Sequence, residues 1–133
     1  MEITTKETSE LLIAAGMPVP DVKVGQVWYN DLGFASVIIR ETDSNFIAAS
    51  LLDGEVGNDF SERQIKSFCI PAFTATDILQ ELGNDFNLMF EQSNFAVNAK
   101  KWVVTDLMSE NEDEYGHDNP AEAAALAFIS SYA

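Results

Sequence analysis

Apolar positions fall into three regimes along the chain. Residues 4–16, TTKETSELLIAAG, carry a helical pattern: Leu11, Leu12 and Ala15 supply an apolar face, Thr4 and Glu7 stand as a capping box, and Gly16 stops the run. Pro18 and Pro20 predict a stiff, extended connector. From Val22 to Phe68 β-rich runs alternate with turn signals. Asn30-Asp31-Leu32-Gly33, Thr42-Asp43-Ser44-Asn45 and Asp53-Gly54 divide this stretch into strands 24–29, 34–41 and 46–52, with a fourth short strand expected over 64–69. After Pro71 the helical spacing returns. Thr74 and Asp77 form a second capping box, Ile78, Leu79 and Leu82 point inward, and Gly83 ends the helix. DFNLMFEQ (85–92) alternates Phe86, Leu88 and Phe90 as a half-buried strand, with KKWVVTDLM (100–108) as its hairpin partner. A final helix is expected over 120–132, dominated by Ala, with Leu126, Phe128, Ile129 and Tyr132 as its bulk.

The order of elements predicts an α+β fold: an N-terminal helix, an antiparallel meander that could curl toward a small barrel, a middle helix, a C-terminal β-hairpin and a terminal helix. A chain of 133 residues reads as one domain, 1–133. Within it, lobes are expected at 1–70 (helix and meander) and 71–133 (helix, hairpin, helix). The motif EVGNDF at 55–60 returns as ELGNDF at 81–86, but the flanks differ and no third copy exists. The echo therefore reads as a reusable stop-and-start signal, not a repeat unit.

Composition fits a folded core, with 47% apolar residues, nine Phe and only 22% charged residues. No apolar run reaches the roughly 18 residues of a membrane helix, and the N-terminus lacks a basic start and long apolar stretch. A cytoplasmic protein without membrane contact is the expectation. The charge narrows it further. Twenty-two acidic against seven basic residues give −15, a field that repels the phosphates of nucleic acid. An acidic surface suits solubility, a basic protein partner, or imitation of nucleic acid.

Candidate chemistry concentrates in SENEDEYGHDNPAEAAALAF (109–128). Counted from Asn111 as the first place of a calcium loop, Asp113 takes the third, Gly116 the sixth and Glu122 the twelfth. Tyr115 stands at the fifth place, where an oxygen ligand is needed, and the preceding segment reads as strand. Asn119-Pro120-Ala121-Glu122 is also a complete helix start, so a solvated cap and turn accounts for the same residues. His117 with Glu114 or Asp118 cannot supply the three or four donors of a structural zinc site. A Ser–His–acid set would have to use this one exposed-looking histidine. Cys69, the single cysteine, sits between Phe68 and Ile70 as a packed thiol. No catalytic residue, cofactor or resident metal is therefore expected.

Trp28 and Tyr29 are adjacent, so on a strand they face opposite ways, one into the core and the other available to a partner. Glu112 and Glu114, in the acidic stretch, are the counterpart candidates for a basic partner.

The motif order ELLIAAGMPVP…VGQVWY, IPAFTATDILQELG and NPAEAAALAFI resembles small uncharacterised prophage or mobile-element proteins of gut Bacteroidetes. That resemblance implies no activity, cofactor or site. Residues 22–69, with Gly25, Trp28-Tyr29 and Asp53-Gly54, are also similar in pattern to small Tudor- or KOW-type barrels. The expected function is a non-enzymatic, acidic accessory or protein-interaction protein, phage-related in origin. A DNA mimic that inhibits a host defence enzyme, and calcium binding through 111–122, are the alternatives.

Overall fold

A computed structural model describes residues 2–57, 59–92 and 100–132. The fold is α+β, as expected, with four helices and eight strands among these residues. The chain divides into two compact units, residues 18–72 and residues 1–17 with 73–133. The expected lobe boundary at 70/71 is thus displaced, because the N-terminal helix groups with the C-terminal elements and not with the meander.

The β unit is a five-stranded antiparallel sheet. Strands β1 (Val27–Tyr29), β2 (Ala35–Thr42) and β3 (Asn45–Ser50) form the expected meander, followed by the two-residue strand β4 (Phe60–Ser61). Helix α2 (Glu62–Phe68) then carries the chain to β5 (Ile70–Pro71), which pairs with β1. The strand order β4-β3-β2-β1-β5 is an open, curled half-barrel. Each turn has a local cause. Asn30 Oδ1 accepts the N–H groups of Leu32 and Phe34 at 3.0 and 2.9 Å, while Gly33 takes φ +88°.

The strand expected over 64–69 is instead α2, and the reason lies in its first residues. Ser61 Oγ accepts the Gln64 N–H, and Gln64 Oε1 accepts the Ser61 N–H at 2.8 Å, a reciprocal capping box. A helix here buries Ile65 against Val22, Trp28, Ile38 and Phe46, the core of this unit.

The helical unit sets α1 (Lys6–Ala14), α3 (Ala75–Leu82) and α4 (Pro120–Tyr132) with a sheet of order β6-β7-β8. Here β6 is Phe86–Gln92, β7 is Lys100–Asp106 and β8 is Glu114–His117. The residues joining β6 to β7, 93–99, lie outside those described. The third strand was not expected; its pairing with β7, Val104 opposite Tyr115, draws residues 114–117 into the sheet. Leu12, Phe73, Ile78, Val104 and Phe128 form the core, each worth about 1.5–3 kcal/mol of burial. Ala121, Ala123, Ala124, Ala125 and Ala127 of α4 are fully buried, so small side chains, more than Leu126, let α3 and the sheet approach this helix.

The cap of α1 is Thr5, which accepts the Thr8 N–H, and not Thr4 as the sequence pattern suggested. Thr4 is buried and used elsewhere: its N–H donates to the Phe73 carbonyl and its Oγ1 accepts the Phe73 N–H, both at 3.0 Å. The echoed motifs differ in detail. Gly83 ends α3 at φ +84°, whereas Gly57 donates its N–H to Ala48 O at 2.8 Å; Asn58 lies outside the described residues.

Candidate functional site

A cleft of about 420 Å³ lies in the β unit. Trp28, Ile38 and Ala48 floor it from β1, β2 and β3, because alternate strand residues share a face. Ile65 and Cys69 wall it from α2 and its C-terminal end. Phe60 and Phe68 stand at its edge, and Phe68 is 74% exposed, an unusual position for a large aromatic. Asn30, Ser36 and Gln64 add neutral polar groups.

Helix α2 is pinned where it stands. Glu62 Oε2 accepts the Val22 N–H at 3.1 Å, and Lys66 Nζ meets Asp21 at 3.1 Å and Glu62 at 3.7 Å. The Asp21 hydrogen bond holds the Lys66 ammonium above its usual range against a desolvation cost, and the Glu62 charge adds to the rise. The floor is fixed too. Trp28 is 3% exposed and its Nε1–H donates to Gln26 Oε1 at 3.2 Å. Burial pushes the Cys69 thiol up, and the Asp31 carboxylate pushes it further, so the cleft's sulfur stays protonated at neutral pH.

Of the expected partner residues, Trp28 belongs to this cleft as a buried floor. Tyr29 faces the other side of β1 and is half-buried, so the pair is not a simple core-and-surface division. Phe60 and Phe68 are the aromatics the sequence reading missed. The Ser61–Gln64 capping box was the available signal for Phe68: it starts α2, whose last residue is the exposed Phe68.

Glu112 and Glu114 are exposed in the helical unit, Glu112 in a turn at φ +48° and Glu114 on β8 opposite Thr105. The calcium spacing does not converge. Residues 114–117 are extended strand, about 13 Å long, and stand between Asp113 before it and Glu122, which follows in α4. Asn111 lies in the turn before it, and Glu122 is committed to a backbone N–H of α1, that of Thr5, at 3.0 Å. Among the described residues no group of three His, Cys, Asp or Glu is placed to hold a metal ion. His117 Nδ1 accepts the Asn119 N–H at 3.0 Å, while Asn119 Oδ1 caps α4 through the Ala121 N–H. Glu114 and His117, three apart on a strand, face opposite ways.

No helix among the described residues is long and apolar enough to cross a membrane. Comparison with protein-family models, curated proteins and solved structures finds no match to the chain.

Proposed function

We propose that this is a non-enzymatic interaction protein that takes a large apolar side chain of a protein partner into the cleft of its β unit. The observation that carries the reading is the exposed Phe68 beside an apolar cleft floored by Trp28 and Ile38. Exposed aromatics around a pre-formed apolar recess are what a partner's anchor residue needs. The chemistry of the lining supports binding over catalysis: its one ionisable side chain is Cys69, held as a neutral thiol.

The test is titration of the isotope-labelled full chain with N-acetyl-phenylalaninamide. Resonances of Ile38, Ile65, Phe68 and Cys69 shift together and saturably if the cleft receives an apolar side chain. Shifts scattered over the surface, or none, overturn the reading.

Nucleic-acid mimicry remains a second reading because the charge is unevenly divided. The helical unit carries fourteen acidic against three basic residues, a net of −11, out of −15 for the chain. Salt-reversible inhibition of a DNA-cleaving defence enzyme would support it, and lack of competition with duplex DNA would end it.

A further inference from the structure

The cleft continues beyond Trp28. Asn30 and Ser36 also line a second, shallower recess of about 300 Å³, walled by Phe34 and Leu52 and by the acidic residues Asp53 and Glu55. The two recesses share Asn30 and Ser36, so they adjoin along β2 and β3, and we treat them as one groove. Its apolar half lies at the Ile38–Ala48 pair and the junction at the Ser36–Ser50 pair, two residues along the strands, or about 7 Å.

The two halves differ in charge. No lysine or arginine lines either recess. At the far end Asp53 Oδ1 accepts the Glu55 N–H at 2.9 Å, which fixes that turn, and among the described residues neither carboxylate makes an ion pair. Phe34 and Leu52 stand exposed beside them. The groove thus offers an aromatic-rimmed apolar socket at one end and two unpaired anionic groups at the other.

We infer that this groove binds an extended, cationic segment of a partner protein. A large apolar side chain of that segment enters between Phe60 and Phe68, and a lysine or arginine about two to four residues along meets Asp53 and Glu55. The inference rests on the cleft reading above and adds the chemistry of the partner. Charge selects among occupants. A net −15 chain repels a nucleic acid, an anionic membrane and a second copy of itself, whereas a basic peptide is drawn to it.

The experiment uses the full chain and three fluorescent nonapeptides in a Gly/Ser background: one with Phe and two Lys, one with Phe and two Glu, one with Ala and two Lys. Polarisation measures affinity, and the rate of Cys69 labelling by a disulfide reagent reports occupancy of the cleft. The expected result is that the Phe–Lys peptide binds at least about tenfold more tightly than either control and slows Cys69 labelling. The double variant Asp53→Asn/Glu55→Gln erases the Lys preference, and Phe68→Ser, at an exposed position, abolishes the dependence on Phe. Equal binding of the Phe–Lys and Phe–Glu peptides overturns the cationic partner while leaving the cleft reading intact. Binding of the Ala–Lys peptide equal to Phe–Lys reduces the effect to general attraction and also overturns it. No binding and no protection of Cys69 by either Phe peptide sinks both readings. Self-association that Phe68→Ser removes assigns the groove to a second copy and overturns the proposal.

Discussion

The Glu122 carboxylate, 8% exposed in the first turn of α4, accepts the backbone N–H of Thr5 at 3.0 Å across 117 residues of sequence. Thr5 is the N-cap of α1, so the contact joins the two ends of the chain and sets a negative charge at the positive end of that helix. Glu122→Ala leaves this N–H without its acceptor and should lower unfolding stability by about 1.5–3 kcal/mol. Glu122→Gln retains an acceptor and should recover a good part of that. Denaturant unfolding of the two variants is the check, and equal losses would show that the hydrogen bond is not the source.

The capping box of α2 makes a second prediction. Ser61→Ala removes the acceptor for the Gln64 N–H and should cost about 1 kcal/mol. Because α2 carries Ile65 over the cleft and leads into Cys69, the same variant should also speed thiol labelling of the native protein. A slower or unchanged rate would separate the helix cap from the cleft wall.

These two contacts also mark what could be seen in the sequence. Helix stops and caps such as Thr74–Asp77 and Gly83 are made within a few residues, so their spacing is visible in a single chain. Ser61–Gln64 has the same local spacing and starts a helix where a short strand over 64–69 is expected. β8 gave no local signal because Glu114, Gly116 and His117 become strand only through pairing with β7. The grouping of α1 with α4 depends on Glu122–Thr5, and Asn119 Nδ2–H donating to the Ile3 carbonyl at 2.9 Å, contacts that no local period encodes. The cleft likewise joins residues distant in sequence, Trp28 of β1 with Ile65 of α2.

Cys69 predicts a pH dependence whose sign is fixed. Its thiol is raised in the folded state by burial, then by Asp31, so the native protein holds the proton at a pH where the unfolded chain releases it. The associated stability is therefore fully present below the ordinary thiol range of about 8.5 and is lost as pH rises through the raised native value. Iodoacetamide should modify the native protein more slowly than a free thiol near pH 8.5, and denaturant should restore the ordinary rate. Over pH 8 to 10 unfolding stability should fall, and Cys69→Ala should flatten that fall. Lys66 acts in the same direction but only above its own ordinary range of about 10.4, which leaves this window to the thiol.

Calcium provides the last prediction, because the geometry opposes the sequence spacing. A loop from Asn111 to Glu122 would have to wrap its oxygens around one ion, yet 114–117 is held straight by its ladder to β7. Asp113 contributes its N–H to Ser109 Oγ at 2.7 Å within the preceding turn, and Glu122 is engaged with Thr5 beyond the strand. Binding would have to break the β7–β8 pairing and the helix contact before any ligand set formed. Millimolar calcium should accordingly produce no saturable heat and no rise in melting temperature. A ligand at a hundred times its dissociation constant would stabilise the fold by about 2.7 kcal/mol, a shift too large to miss. Saturable heat that disappears in Asp113→Asn would show that β8 yields to the ion.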